Sequence, residues 1–139
     1  MPLELDSLRK ALATLERSLD TVDAHWRTAD EAMRETLRAG VIQHFKVAFE
    51  LCWKYVQRWL RENRSPEEAD HPRSRKDLFR LAAHAGLIED PVPWFGYAEA
   101  RNLSVHTYSE KRAEQVYQTA RRFLRDARYV LEQLEAHND

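Results

Sequence analysis

The sequence predicts an all-α protein, an up-and-down bundle of about five helices. Apolar residues recur at intervals of three and four along almost the whole chain, and no stretch alternates as a strand would. Only three glycines and five prolines interrupt 139 residues. Short polar residues suited to capping stand ahead of several periodic runs. A chain of this length builds one hydrophobic core, so residues 1–139 are read as a single domain.

The first helix is expected after Asp6 as N-cap and runs to about Ala24, with Leu8, Ala11, Leu12, Leu15, Leu19 and Val22 on one face. The second runs from about Asp30 to Glu62, roughly 50 Å at 1.5 Å per residue. From Val41 onward its apolar residues are Val41, Ile42, Phe45, Ala48, Phe49, Cys52, Trp53, Val56, Trp59 and Leu60. They cover roughly 200° of the helix, about twice the stripe an ordinary surface helix needs. Gln43, Lys46, Glu50, Lys54, Gln57 and Arg58 fill the narrow remainder. Such a helix must be covered from two sides, and a homodimer is predicted on that ground. Arg34 and Arg38 interrupt the stripe earlier, Gly40 permits a bend, and His44 sits at the stripe's edge.

Residues 63–73 form a polar loop. Ser74 is expected to cap a short third helix, with Asp77 in its first turn and Gly86 ending it. Pro91 and Pro93 open the fourth helix, where a missing N–H costs nothing, and this helix is expected to end near His106. Ser109 caps the last helix, which runs to about His137 and carries Val116, Tyr117, Ala120, Phe123, Leu124, Ala127, Val130, Leu131 and Leu134 on one side.

Composition excludes several classes. The 43% apolar content and 14 aromatic residues are globular rather than disordered. The net charge of −1 gives no support to bulk polyanion binding, so any nucleic-acid contact must be local. The single cysteine, Cys52, cannot form an intrachain disulfide, lies in an apolar pattern and fits a reducing compartment. No signal peptide and no membrane span are read, and a cytoplasmic location is expected. No phosphate-cradling glycine loop is present, so no cofactor is expected, and no histidine pair at helical spacing suggests a metal.

Elsewhere charges fall on outward faces, but residues 98–109, Ala-Glu-Ala-Arg-Asn-Leu-Ser-Val-His-Thr-Tyr-Ser, depart from that rule. At 100° per residue Trp94, Ala98 and Val105 make an apolar stripe with Phe95 beside it. Arg101 and His106 fall on its margins, and Asn102 falls inside it. Buried polar groups need partners, so the stretch is either a structural polar network or an active site. Networks are the commoner occupants of such faces.

The chemistry on offer suits a phosphodiester. An arginine fork binds phosphate through two hydrogen bonds and steadies extra charge in a pentacoordinate transition state. Histidine titrates near neutrality and can take a proton from a ribose 2′-OH or deliver one to the leaving oxygen. The spacing alone does not discriminate, because Arg38-x5-His44 and Arg64-x6-His71 also occur. The Arg64 copy crosses the proline-containing loop; the Arg38 copy is not separated by spacing. What sets Arg101 and His106 apart is context: Asn102 follows the arginine, the histidine sits at a helix end, and Thr107-Tyr108 precedes a new cap. On an ideal helix Arg101 and His106 point about 140° apart. Two copies across a dimer axis, or an unwound helix end, would bring such groups together.

Arg101-Asn102-Leu103-Ser104-Val105-His106-Thr107-Tyr108 resembles the Arg-x4-His-x-Tyr signature of HEPN domains from toxin–antitoxin systems that pair HEPN with a minimal nucleotidyltransferase. The segments 41–45, 49–54, 74–79 and 86–88 resemble the same family, once described as nucleotidyltransferase substrate-binding proteins. The resemblance covers nearly the whole chain apart from the loop at 63–73. It implies a HEPN-like helical-bundle homodimer acting on RNA as a metal-independent ribonuclease, with Arg101, His106 and Asn102 at the catalytic site. It also implies a separately encoded nucleotidyltransferase antitoxin that transfers AMP to Tyr108 and silences the nuclease. The older family description implies a noncatalytic accessory that presents substrate to the nucleotidyltransferase.

Overall fold

In a computed structural model, which describes residues 3–64, 75–104 and 109–137, the predicted helices follow one another as α1 (Asp6–His25), α2 (Glu31–Asn63), α3 (Arg75–His84), α4 (Pro91–Leu103) and α5 (Glu110–Ala136). No strand occurs among the described residues. Most of the loop at 63–73 and the predicted cap Ser74 lie outside them.

The helix ends follow local chemistry. Asp30 accepts from the Met33 N–H at 2.8 Å, and Ser109 accepts from the Arg112 N–H at 3.4 Å. Asp90, just ahead of Pro91, accepts from the Val92 N–H at 3.0 Å, a cap the proline signal alone does not name. Gly86, at φ 83°, closes α3: its N–H reaches the Ala83 carbonyl and the Leu87 N–H reaches that of Ala82, the paired bonds of a Schellman turn. Asp6 is a correction. Leu5 holds the N-cap position and Asp6 is the first helical residue. Leu5 is 2% exposed, so burying its side chain starts the helix one residue early. The Asp6 carboxylate still sits in the first turn, where negative charge is favoured, and accepts from Arg9 at 2.8 Å.

α2 touches each of the other four helices, because its apolar arc is too wide for one neighbour. Val41, Phe45, Ala48, Phe49, Cys52 and Val56 are all buried. The arc differs from the predicted one at two positions. Trp53 is half-buried at its edge, while Tyr55 is buried, with the Arg58 guanidinium 5.7 Å from its ring centre. The arc is filled by this chain's own helices, so its width does not by itself require a second copy.

Phe123 of α5 joins the helices at the centre. Fully buried, it meets Phe45 and Phe49 of α2 at ring-centroid distances of 5.2 and 6.1 Å, and Trp94 and Tyr97 of α4 at 5.8 and 5.4 Å. All four contacts are edge-on, the geometry that aromatic quadrupoles favour. Along the outside, α5 is tied to α1 by Arg9–Glu135 at 3.0 Å, by Arg128 with Glu16, and by Arg121–Asp23 at 2.6 Å. The positions advance by seven on α1 as they retreat by seven on α5, the register of an antiparallel pair.

Two buried groups give the fold an alkaline limit. Burial raises the Cys52 thiol above its ordinary value, and burial with a hydrogen bond to Asp126 raises the Tyr97 phenol. Unfolded, these groups ionise at about 8.5 and 10; folded, they stay protonated. The unfolded chain then binds fewer protons, so stability is unaffected below the unfolded values and falls as pH rises past them, by up to about 1.4 kcal/mol per pH unit for each group. Urea unfolding of Tyr97→Phe should lose stability less steeply than the parent between about pH 9.5 and 11. An identical slope would mean that the phenol is not protected.

Candidate functional site

The site is built where α4 runs out against the polar edge of α2. Asp90, Pro91 and Pro93 start α4, and Trp94, Tyr97 and Ala100 bury one face of it. This face is rotated from the predicted stripe of Trp94, Ala98 and Val105. α5 takes the side carrying Tyr97, whose hydroxyl donates to Asp126, while Phe95 packs toward Phe79 of α3 at 6.5 Å. Asn102, expected inside the stripe, is therefore exposed. α4 ends at Leu103, short of the predicted end near His106, with Ser104 in the C-cap position. Val105, His106, Thr107 and Tyr108 lie outside the described residues.

Arg101 occupies the last turn, 28% exposed at its side chain, and faces α2. Its Nε donates to Glu50 Oε1 at 3.0 Å, and the other Glu50 oxygen accepts from Trp53 Nε1 at 3.1 Å. Both carboxylate oxygens are thus occupied, and the carboxylate is held from two directions. Among the described residues neither Nη of Arg101 has a hydrogen-bond partner. Ser104 steadies the same turn: its Oγ donates to the Arg101 carbonyl at 2.6 Å. A guanidinium clamped through Nε keeps two Nη groups that can serve an anion with two oxygens to offer.

A cavity of about 520 Å³ opens between α2, the end of α4 and the start of α5; Ser104 lines it and Arg101 does not. Arg38, Gln43, Lys46, Ser104, Ser109 and Glu110 are among its lining residues. Lys46 is one helical turn before Glu50, half-buried, and has no ion pair among the described residues. Ser104 and Ser109 are the described residues on either side of the segment that contains His106 and Tyr108, and both line this cavity.

The other Arg–His copy divides here. Arg38 lines the cavity and donates to Glu114 at 3.2 Å, whereas His44 does not line it; its enclosed Nδ1 has no partner. His84 is exposed. Glu31, Glu35 and Glu110 bring carboxylates within 4.8 Å of one another near the cavity, all three exposed, a weak setting for a resident cation. Sequence reasoning did not single out Glu50, Lys46 or Ser104. The signal was present for the first two, a Lys and a Glu four apart in the thin polar strip of an otherwise apolar helix.

A family profile described as nucleotidyltransferase substrate binding protein like matches residues 3–136. The chain belongs to this family. The resemblance drawn from residues 101–108 and from the second helix is thereby borne out. Within the family's reach, a Haemophilus influenzae protein named probable ribonuclease HepT is 33% identical over 138 residues, covering 98% of this chain and 94% of that protein. A solved Haemophilus influenzae structure, described as revealing the fold of a substrate-binding domain of a nucleotidyltransferase, superposes with a TM-score of 0.87. It is 32% identical and covers 95% of this chain and 99% of its own. A crystal structure from Thermus thermophilus gives a TM-score of 0.71 at 32% identity, over 91% of this chain and 98% of that one. The all-α bundle is therefore the family's fold, and two descriptions, ribonuclease and substrate-binding domain, attach to its members.

The clamp on Arg101 is measurable in this family member. A double-mutant cycle on Glu50→Gln and Arg101→Gln, read by urea unfolding, should give a coupling of about 0.5–1.5 kcal/mol, the upper part of the range for partly exposed pairs. Zero coupling would mean that Glu50 does not hold the guanidinium.

Proposed function

We propose that this chain is a metal-independent endoribonuclease, the toxin of a toxin–antitoxin pair, silenced when a cognate nucleotidyltransferase transfers AMP to Tyr108. The observation that carries the reading is the Arg101 guanidinium, held at Nε by Glu50, with no partner for either Nη among the described residues, in a turn whose Ser104 lines a polar cavity. Kinship with a protein named probable ribonuclease HepT supports it. In the proposed reaction a ribose 2′-oxygen attacks the adjacent phosphorus; the O2′–P bond forms and the P–O5′ bond breaks. One His106 takes the 2′-OH proton and a protonated His106 gives one to O5′, leaving a 2′,3′-cyclic phosphate and a 5′-hydroxyl. Arg101 offsets the extra negative charge on the pentacoordinate phosphorus, and Asn102 contacts the phosphate or orients one of the pair.

A base and an acid are needed together, and one chain supplies one His106. This is why the active form is proposed as a homodimer in which Arg101 and His106 of two copies meet. The 139 residues then act as one domain per copy, in the cytoplasm. Light scattering should show a dimer at tens of micromolar; a monomer there would remove the basis for a shared site.

Arg101→Lys should lose cleavage as completely as Arg101→Ala, by about 100-fold or more, because a point charge cannot reproduce the fork. His106→Ala should do the same, and EDTA should leave the parent active. Cleavage abolished by EDTA, which would turn attention to Glu31, Glu35 and Glu110, or normal cleavage by His106→Ala, would sink the mechanism.

The accessory reading is kept by the family description and by the substrate-binding description of the Haemophilus structure. Expression without the partner separates the two. A toxin arrests growth and Arg101→Ala relieves the arrest; an accessory does neither.

Tyr108, immediately before the Ser109 cap, is the proposed handle for silencing. AMP there would put bulk and negative charge next to Arg101 and His106, as a tethered competitor of the RNA phosphate. Co-expression with the nucleotidyltransferase should add mass in steps of one AMP at Tyr108, and Tyr108→Phe should remain active and escape silencing. Modification at Tyr97 or Tyr117 instead, or silencing that persists in Tyr108→Phe, would overturn this.

A further inference from the structure

The bulk charge of the chain is −1, so a nuclease must hold its polyanionic substrate through a local concentration of cations. α5 carries one. Lys111, Gln115, Gln118, Arg122 and Arg125 follow one another at steps of four and three, and all are exposed. At 100° per residue they fall within a sector of roughly 80°, and at 1.5 Å per residue they extend about 21 Å along the helix. No carboxylate belongs to this row.

The remaining charges of α5 show why the row stands apart. Arg121 and Arg128 pair with Asp23 and Glu16 of α1, and Glu135 with Arg9. Glu114 accepts from Arg38 of α2 and from Gln118, and Asp126 accepts from Tyr97. Lys111 and Arg122 have no ion pair among the described residues. Arg122 donates only to Thr119 Oγ1 at 3.2 Å, and Arg125 Nε comes no nearer to Asp126 than 4.0 Å. Arg122 and Arg125, with Thr119 and Asp126, also line a surface cavity of about 310 Å³ that reaches Gly96 and Tyr97 of α4; the Asp126 carboxylate there is engaged by the Tyr97 hydroxyl. Of the other acidic groups of α4 and α5, Glu99 and Glu110, which precedes Lys111 in the chain, are exposed, and Glu132 lies beyond the far end of the row.

We propose that this ridge is a track for the phosphates of single-stranded RNA, leading the strand to the cleavage site. The inference rests on the ribonuclease reading and names how its substrate is held. Connectivity gives the direction. Lys111 follows the Ser109 cap by two residues, so the ridge begins where the chain emerges from the segment carrying His106 and Tyr108 and runs away from it. At the 3.4 Å per phosphate of a stacked strand, its length matches about six phosphates. The alternation of Lys or Arg with Gln provides donors to phosphate and sugar oxygens without choosing a base, and Arg122 and Arg125 bring two cations to one cavity against the single carboxylate of Asp126. An acidic protein surface is the competing occupant. A row of cations spaced along one exposed helix edge, with no apolar residue among them, suits a flexible polyanion better than a protein face, whose centre is normally apolar.

The test uses the full chain with a fluorescent 12-nucleotide RNA bearing 2′-O-methyl groups, which cannot be cleaved, and reads anisotropy against salt. Arg122→Gln/Arg125→Gln should weaken binding at 50 mM salt by about 10-fold or more, and should flatten the slope of log affinity against log salt by about 1.4, two single-strand phosphate contacts at about 0.7 each. A control with the same change in net charge, Arg17→Gln/Arg27→Gln, should retain the parent slope; these residues lie in and just after α1. Cleavage of a dinucleotide, too short to reach the ridge, should be unchanged in the ridge variant, while cleavage of the unmodified 12-nucleotide RNA should fall with binding. Parent-like binding and slope in the ridge variant overturn the proposal. So does an equal loss in the control, and so does loss of association with the nucleotidyltransferase in place of RNA binding. A parent chain that binds the RNA through the ridge yet cleaves nothing would overturn the ribonuclease reading and leave the track standing.

Discussion

The constraint on which the molecule depends is the burial of α2. Its apolar surface spans roughly twice the arc one neighbour can cover, and exposed apolar area costs about 25 cal/mol per Å². Four helices close around it, so the fold follows from the width of one helix's apolar face. The same constraint builds the site. Because α4 must lie against α2, the last turn of α4 arrives at the edge of the apolar arc, where the thin polar strip begins. Arg101 meets Glu50 there, and the cavity opens along the strip toward Lys46 and Gln43.

Two kinds of interaction then divide the work of specifying the arrangement. Phe123 brings α2 and α4 onto α5 through edge-on contacts, which are short-ranged and set the depth of packing. The three charge pairs between α1 and α5 are exposed enough that each contributes little stability. Their value is register: a shift by one turn would separate all three pairs at once. That commitment of α5's charges to α1 also leaves Lys111 and Arg122 on the outward ridge without an ion pair among the described residues, and Arg125 only 4.0 Å from Asp126.

The described part of the candidate site is the last turn of α4; the proposed His106 and Tyr108 belong to the connection between α4 and α5. Arg101 stands on a helix whose start is capped by Asp90 and whose end is closed by Ser104, and its guanidinium is fixed from below by a carboxylate that is itself fixed by Trp53. A guanidinium that met a phosphate at two oxygens, as proposed for Arg101, would gain from such support, since freedom lost in advance is not lost on binding. Arg38 has comparable support, since its partner Glu114 also accepts from Gln118, and it lines the cavity, whereas neither Arg101 nor His44 does; what sets Arg101 apart is its place in the signature.

The sequence by itself determined the helices, most of their ends and the signature. These depend on neighbours three or four residues apart, on caps such as Asp30 and Ser109 and on the left-handed turn at Gly86, all local chemistry that a linear pattern records. It also recorded the heptad spacing of Arg9, Glu16 and Asp23 without saying what faces them. Tertiary structure decided which face of α4 is buried, moving it from Ala98 to Tyr97 and leaving Asn102 in solvent, because α2, α3 and α5 all pack on α4. It likewise chose Glu50 from among six polar residues on α2 as the partner of Arg101, 51 positions away in sequence. A helix's own periodicity fixes how wide its apolar face is. Only the helices that arrive against it fix where that face is centred and which charge at its edge becomes part of a site.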